Sequence, residues 1–193
     1  MIHQALSTAP ELDRSLSEKL LDKEVVFPGK IIRLEHWHVS LPNGETALRE
    51  VAVHPGAAAV VALDEEGCVL MVRQHRIAVD RLTWEIPAGK LDSPDESPLV
   101  CAQRELSEET GYTAQTWRKL TCLETTPGFC NERIHIYLAT GLSKGASHPD
   151  EDEFVALTRL PLSEAVDCVM DGTFRDGKTC LALLMAQKAL ALI

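Results

Sequence analysis

The chain has 193 residues, 45% of them hydrophobic and 25% charged, so it is long enough to bury a core and has an ordinary globular composition. Its 19 Lys and Arg residues and 29 Asp and Glu residues give a formal charge of −10. That charge argues against nucleic acid or an anionic membrane as the main partner, although a few local cations or a metal could still hold a small anion.

The cysteines and the first residues predict a reducing compartment. The six cysteines form no CxxC pair and share no zinc-finger spacing with histidines, which favours free thiols. The start of the chain shows no basic segment followed by an apolar one, and no apolar run reaches the length of a membrane span. We therefore expect a cytoplasmic protein.

The N-terminal part predicts an antiparallel β arm. Apolar runs at 24–27, 30–41 and 45–54 are typical of strands, and Pro-Asn-Gly at 42–44 favours a tight turn. Such a meander has too little apolar surface to fold alone. We assign residues 1–50 to the arm and residues 51–193 to a larger domain.

The larger domain predicts strands mixed with helices. The segment "GAAAVVALDEEGCVLMVRQHR" predicts a hairpin whose first strand is apolar throughout, as expected of a strand covered on both faces. A helix is predicted from Ser97 as its N-cap to Thr110, with Gly111 ending it, and two more helices follow. Because no regular βαβ repeat is present, the predicted fold class is α/β (α+β), a mixed β-sheet sandwiched between helices with an N-terminal antiparallel β arm.

Three glutamates lie together on the first predicted helix of this domain. Glu105, Glu108 and Glu109 stand at i, i+3 and i+4, so they project from one side, near the end where the helix dipole disfavours negative charge. Carboxylates aimed at one point suit Mg²⁺, which takes oxygen ligands and completes its shell with water and substrate phosphates. The pattern therefore indicates a metal site, and a solvated helix face is the alternative.

The segment "GKLDSPDESPLVCAQRELSEETGY" resembles the Nudix box, the signature of hydrolases that cleave nucleoside diphosphates linked to another group. The fixed positions of the box are matched by Gly89, Glu96, Arg104, Glu105, Glu108, Glu109 and Gly111. Seven residues separate Glu96 from Arg104, as the box requires, whereas six rather than five separate Gly89 from Glu96. The resemblance implies that Arg104 pairs with Glu96 and holds the helix against the preceding loop.

The resemblance also implies a Nudix fold and a set of metal ligands. Glu105 and Glu109 would be the main ligands of Mg²⁺, for which Mn²⁺ could substitute. Glu108 and the carbonyl of Ala88 would complete the shell. Metal ions bridging a pyrophosphate would neutralise its charge and activate water.

The flanking sequence resembles the ADP-ribose pyrophosphatase branch of the family over most of residues 50–160. "EIPAGK", "TPGF" and an acidic loop carry this resemblance, and Pro127 stands sixteen residues after Gly111, as in that branch. The branch implies an Mg²⁺-dependent hydrolase that splits ADP-ribose into AMP and ribose 5-phosphate. The alternatives are another nucleoside diphosphate sugar, such as GDP-mannose or ADP-glucose, and a non-catalytic domain that senses ADP-ribose.

In relatives, the loop before the strand "EFV" carries the glutamate that deprotonates the attacking water. Here that loop holds Asp150, Glu151, Asp152 and Glu153. Relatives differ by a couple of positions, so Glu153 is the preferred base and Glu151 the alternative. A mobile loop suits a base that swings in when substrate is bound, and a solvated loop tip is the other interpretation.

The resemblance implies substrate contacts outside the metal face as well. These contacts fall on Arg49, Arg76, Gly89, Pro127, Gly128 and Glu132. Arg76 matches an arginine that contacts phosphate in the family, and a plain surface cation is the competing interpretation. Arg49 stands at the end of an arm strand, and Glu132 would touch a ribose hydroxyl.

The branch further implies an isologous homodimer. "REVAVHPGA" resembles the part of that branch in which N-terminal strands cross to a twofold-related partner and help to complete its substrate pocket. The apolar positions of the arm have no helix of their own to cover them, so they must lie on something. The alternative is an arm folded back on its own domain.

Overall fold

The computed structural model of the protein describes residues 14–93, 95–145 and 154–191. The chain forms two compact units. The first contains the residues up to His54 together with Thr126–Asn131, and the second contains Pro55–Thr125 and the residues from Glu132 onward. The predicted arm thus belongs to a unit that also includes a distant loop, which the sequence did not assign to it.

The first unit is an antiparallel sheet in the order β1-β2-β3. Its strands are β1 (Lys19–Pro28), β2 (Arg33–Ser40) and β3 (Thr46–Val53). The predicted turn at 42–44 is confirmed, since the Leu41 amide donates to the Glu45 carbonyl at 2.8 Å and Gly44 adopts φ 87°. A positive φ of this kind explains the glycine.

The distant loop of the first unit is hydrogen-bonded to β3. The amide of Ala52 donates to the carbonyl of Phe129 at 2.8 Å, and the amide of Asn131 donates to the carbonyl of Ala52 at 3.2 Å. The side chain of Asn131 also accepts from the amide of His54 at 2.8 Å. The loop therefore extends the arm sheet through main-chain contacts, which no local sequence signal indicates.

The described residues of the second unit form two sheets and three helices. The central sheet has the order β7-β4-β9-β8 and the side sheet the order β10-β5-β6. The strands are β4 (Ala57–Ala62), β5 (Cys68–Arg76), β6 (Arg81–Glu85), β7 (Ala88–Lys90), β8 (Tyr112–Glu124), β9 (Arg133–Lys144) and β10 (Ala156–Pro161). The helices are α1 (Pro98–Thr110), α2 (Leu162–Met170) and α3 (Gly177–Leu190), and a 3-10 turn spans Ile77–Val79. Among the described residues, no helix has the length and apolar character needed to cross a membrane.

The central sheet is mixed and lies between helices, as predicted. β4 runs parallel to β9, whereas the other pairs of this sheet are antiparallel. Along β4, Ala59 and Val61 belong to a core with Leu183 of α3, and Val60 belongs to a second core with Leu106 of α1. Because both faces are covered, every residue of β4 is buried and apolar.

The prediction that residues 56–76 form one hairpin is wrong. β4 and β5 belong to different sheets, and an isolated antiparallel bridge between Leu63 and Val69 joins their ends. β4 pairs with β9 along its whole length and with β7 over Ala57–Ala59, so its ladder partners are these two strands and not β5.

The helix α1 begins and ends where the sequence predicts. Ser97 occupies the N-cap position, but its side chain makes no capping hydrogen bond; its carbonyl instead accepts from the amide of Cys101 at 3.0 Å. Gly111 follows the last turn with φ 73°, and its amide donates to the carbonyl of Ser107 at 2.8 Å. This left-handed glycine ends the helix just after the three glutamates.

Candidate active site

One line of side chains on α1 faces the short strand β7. Cys101, Glu105 and Glu109 stand on successive turns of the helix, and all three are buried. Glu105 is 6% exposed and Glu109 is 4% exposed. Two carboxylates this deeply buried on one helix line need hydrogen bonds or an opposite charge, since the charged form is otherwise strongly disfavoured.

The backbone of β7 contacts both buried carboxylates. The amide of Ala88 donates to Glu109 Oε2 at 3.1 Å. At Gly89 the backbone lies directly against Glu105, so that a Cβ atom built there would overlap the Glu105 carboxylate. The absence of a side chain at Gly89 therefore leaves the space that the Glu105 carboxylate occupies.

Arg104 is the cation beside these carboxylates. Its Nη1 donates to Glu105 Oε1 at 2.7 Å and to Glu108 Oε2 at 2.9 Å, and its Nη2 donates to the Lys90 carbonyl at 3.1 Å. Its Nε donates to Glu96 Oε1 at 3.2 Å, the pairing that the resemblance implies. Although burial lowers the pKa of Arg104, these carboxylates outweigh it and raise that pKa above its usual range.

Glu96 closes the loop between β7 and α1. Its Oε2 accepts from the amide of Asp92 at 2.8 Å, and its own amide donates to the carbonyl of Ser93 at 3.2 Å. Burial alone would raise the pKa of Glu96, but the bonds from Arg104 and from the Asp92 amide lower it. Pro94, within this lengthened loop, lies outside the described residues.

The donor chemistry of this face fits a hard divalent cation, while the orientation of its side chains is that of a hydrogen-bonded network. Carboxylates are the ligands that Mg²⁺ prefers. Within the described ranges, however, no three His, Cys, Asp or Glu side chains are arranged as a ready-made metal site. Glu105 and Glu108 accept from Arg104, and Glu109 accepts from the Ala88 amide. A cation bound here would therefore compete with Arg104 for at least two carboxylates.

Arg76, a predicted phosphate contact, is held by a buried carboxylate. Its Nε and Nη2 atoms donate to the two oxygens of Glu85, each at 2.8 Å. The bond to Glu85 raises the pKa of Arg76 against a smaller opposing effect of burial, and the charges of Asp176 and Glu109 raise it further. Arg76 is thus a paired side chain in the electrostatic field of Glu109.

The sequence did not predict the two residues that hold Arg76, which are Glu85 and Lys178. Glu85 is 2% exposed, and Lys178 at the start of α3 donates to its Oε2. One signal was present for Glu85, because a carboxylate enclosed by Trp84 and Ile86 at the end of a strand indicates a buried charge. Nothing in "RDGKTC" distinguishes Lys178 from a solvated lysine.

Three predicted substrate residues belong to the first unit. Arg49 donates to the carboxylate of Glu18 and to the carbonyl of Leu48 at 3.2 Å. Pro127 and Gly128 lie in the loop that bonds to β3. That these residues meet the α1 face stays a prediction.

Of the remaining predicted residues, the structure describes Glu132, which belongs to the second unit. The carbonyl of Glu132, next to β9, accepts from the amide of Thr125 at 3.4 Å. Glu151 and Glu153, the two candidate bases, lie outside the described residues.

Comparisons with known proteins cover most of the chain. The model of the NUDIX domain family matches residues 53–179. A methanol dehydrogenase activator of Bacillus methanolicus is 43% identical over 183 residues, which cover 93% of this chain and 98% of that protein. An ADP-ribose pyrophosphatase of Bacillus subtilis (strain 168) is 44% identical over 176 residues, which cover 90% of this chain and 95% of that protein.

A solved structure resembles the fold over nearly the same extent. The crystal structure of an ADP compounds hydrolase superposes with a TM-score of 0.79 at 24% sequence identity. It covers 91% of this chain and 96% of its own. At that identity the likeness concerns the fold alone.

Proposed function

Because the chain belongs to the Nudix hydrolase family, we propose that it splits ADP-ribose into AMP and ribose 5-phosphate with the help of a divalent metal ion. The observation that carries this proposal is the α1 face, where β7 lies against two buried carboxylates and an arginine spans three glutamates. The likeness to an ADP-ribose pyrophosphatase over nine-tenths of the chain supports the substrate. Hydrolases of this family generally use divalent metal ions.

We assign the metal to Mg²⁺, with Mn²⁺ as a substitute. Glu105 and Glu109 would be its main ligands, with Glu108 and the carbonyl of Ala88 as further oxygen donors. When bound, the metal would neutralise charge on the pyrophosphate and lower the pKa of a bound water. Glu105 and Glu108 would turn away from Arg104, which keeps Glu96 as its partner.

The substrate phosphates would meet Arg76. A guanidinium has five N–H donors, and two of those of Arg76 point at Glu85, so three are available to an anion. Its side chain is 45% exposed, which makes those donors accessible. Gly89 would line the same face, and Glu132 would bind a ribose hydroxyl, with Arg49, Pro127 and Gly128 completing the contacts.

The water would be deprotonated by Glu153, with Glu151 as the alternative. A general base acts in the transition state and adds little to ground-state binding, so Glu153→Ala should lower kcat far more than KM. Steady-state kinetics of both alanine variants decide between the two residues. If neither variant shows the effect, the base lies elsewhere in the chain.

A direct test is an assay of phosphate-bearing products from ADP-ribose, ADP-glucose and GDP-mannose, with and without Mg²⁺. We expect ADP-ribose to have the highest kcat/KM and turnover to vanish when the metal is chelated. Glu109→Gln should lower kcat by at least about 100-fold, because it removes a charged ligand while its amide oxygen still accepts from Ala88. Glu164→Gln, an exposed change in the first turn of α2, is the matched control and should be silent.

The same assay distinguishes the alternatives. A preference for GDP-mannose or ADP-glucose would keep the chemistry and move the substrate to another nucleoside diphosphate sugar. Calorimetric binding of ADP-ribose without any turnover would instead indicate a non-catalytic sensor.

We also propose that the protein is a homodimer with exchanged N-terminal strands, in which each chain contributes arm residues to its partner's substrate pocket. Every residue of β1 is exposed, including the apolar Leu20, Leu21, Val25, Val26 and Phe27. Apolar surface of this extent commonly marks an interaction site. A second copy of the chain is the occupant we propose, since an isologous contact would cover two such arms at once.

We place the reaction in the cytoplasm. The six cysteines are free thiols, and Cys122 is exposed. Unpaired, exposed thiols persist most readily in reducing compartments.

A further inference from the structure

We infer that Glu85 and Lys178 are positioning residues that together fix the guanidinium of Arg76 in the orientation in which it meets the substrate phosphates, a role that presupposes the proposed function. Arg76 is the residue that touches the anion. Glu85 acts on the reaction through Arg76, and Lys178 acts through Glu85.

Glu85 is anchored on both of its oxygens. Oε1 accepts from Arg76 Nε at 2.8 Å and from Thr83 Oγ1 at 2.6 Å. Oε2 accepts from Arg76 Nη2 at 2.8 Å and from Lys178 Nζ. Four donors and near-complete burial leave this carboxylate one orientation, and the bidentate geometry passes that orientation to the planar guanidinium.

Lys178 ties this carboxylate to the start of α3. Its side chain is 11% exposed, and its Nζ also donates to Asp176 Oδ2 at 3.0 Å. Asp176 is the N-cap of α3 and accepts from the Thr179 amide at 3.0 Å. The position of Lys178 is therefore set by the helix cap, so α3 provides a rigid support for Glu85.

The four charged side chains of this network balance one another. Glu85 and Asp176 balance Arg76 and Lys178, so this quartet of charges is formally neutral. Its outermost member is Arg76, whose side chain is 45% exposed and whose pKa is raised partly by the charge of Glu109. A phosphate bound near Glu109 would therefore face an arginine whose rotamer is already chosen, which reduces the ordering cost of binding.

A purely structural ion pair would be a costly way to fill this space. Buried ion pairs are often no more stabilising than apolar side chains of similar volume. A network that holds one cation half-exposed, with two of its donors anchored and three available, has the form expected of a preorganised anion contact.

The test is a kinetic double-mutant cycle in the full-length protein. With ADP-ribose and Mg²⁺, Glu85→Gln and Lys178→Met should each lower kcat/KM about tenfold, mainly through KM, in a background that retains Arg76. In an Arg76→Ala background the same changes should have less than about a twofold effect. Lys178→Arg should restore most of the loss, whereas Lys188→Met, on the exposed side of α3, should cause none.

A binding measurement separates this inference from the proposed function. Calorimetry with inorganic pyrophosphate and Mg²⁺ needs no turnover, so the same cycle in its dissociation constant reports on Arg76 even if no nucleotide sugar is hydrolysed. Undiminished effects of Glu85→Gln and Lys178→Met in the Arg76→Ala background would overturn the positioning role. Thermal denaturation checks that each variant is folded at the assay temperature. If Glu85→Gln does not fold, Lys178→Met still tests the inference, because it keeps the aliphatic part of the lysine side chain.

Discussion

At Gly89 the backbone of β7 lies so close to α1 that a methyl group would occupy the space of the Glu105 carboxylate. Gly89→Ala should therefore displace either the strand or that carboxylate. We expect a loss of about 1–3 kcal/mol in the free energy of unfolding and at least a tenfold loss in kcat/KM. Urea denaturation and the ADP-ribose assay measure the two effects.

Gly177 provides the control for this substitution. A Cβ atom at Gly177 meets nothing within 4 Å, and the residue has an ordinary negative φ at the start of α3. Gly177→Ala should change the free energy of unfolding by less than about 0.5 kcal/mol. If Gly89→Ala is equally silent, the close contact with Glu105 does not constrain the site.

The ionised Glu85 carboxylate contributes to the free energy of unfolding, and this contribution is lost at acid pH. Burial raises the pKa of Glu85, but the bond from Arg76, the charge and bond of Lys178 and the bond from Thr83 outweigh it and bring that pKa to about 2. Since an unfolded glutamate titrates near 4.3, the stabilisation is fully present above that pH and is lost as the pH falls toward 2. The shift corresponds to about 3 kcal/mol, with little screening because the side chain is buried.

Urea unfolding at a series of pH values tests this dependence. The free energy of unfolding of the wild type should fall more steeply between about pH 4.5 and pH 2 than that of Glu85→Gln, which has no carboxylate to protonate. An exposed change, Glu45→Gln, should leave the slope as it is in the wild type. Parallel curves for the wild type and Glu85→Gln would mean that the Glu85 carboxylate contributes no pH-linked stability.

At the scale of elements, the first turn of α3 is fastened to the residue that follows β6. Thr179 Oγ1 donates to Asp176 Oδ2 at 2.6 Å and accepts from the amide of Ile86 at 3.0 Å. Thr179→Val would leave that buried amide without its acceptor, at a cost of about 1–3 kcal/mol. Thermal denaturation should show this loss for Thr179→Val and only a small one for Thr179→Ser, which retains the hydroxyl. Equal losses would assign the effect to packing rather than to the hydrogen bond.

The elements that could be predicted from the sequence are those with local signals. α1 has its N-cap, its N1 proline and its terminating Gly111 within fifteen residues, and the helical period alone places Glu105 and Glu109 on one face. The turn residues between β4 and β5 are equally local and predict a hairpin, but the partners of β4 are β7 and β9. Which strands pair depends on the surface that is buried over the whole unit, and the residues of one turn do not indicate this.

The part of the site that could not be predicted is assembled over long distances. Lys178 and Glu85 are separated by 93 residues, and no periodicity or spacing connects them. The loop at 126–131 bonds to β3 from a similarly distant point in the chain. The sequence shows that these residues are present but does not show that they lie close together in the fold.

At the scale of the whole molecule, the exposed face of β1 determines the proposed assembly. A double variant, Val25→Lys and Phe27→Lys, would place two charges where we propose that a second chain packs. Light scattering should give twice the mass of one chain for the wild type and the mass of one chain for the variant. Activity should fall with the mass if the partner completes the substrate pocket.

Ile77→Lys is the control for the assembly, because Ile77 is a highly exposed apolar residue of the second unit. It should leave both mass and activity unchanged. A wild type that is monomeric at micromolar concentration and still fully active would refute the shared site.

The separation of Glu85 and Lys178 along the chain also affects when they can meet during synthesis. The ribosome adds about 5–20 residues per second, so the 93 positions between them correspond to about 5–20 s of synthesis. Throughout that interval the nascent chain contains the Glu85 carboxylate but not Lys178. The interval between the synthesis of β4 and that of its parallel partner β9 is almost as long. The central sheet and the charge quartet can therefore be completed only after most of the chain has been synthesised, and until then β4 lacks its parallel partner and Glu85 lacks one of its two cations.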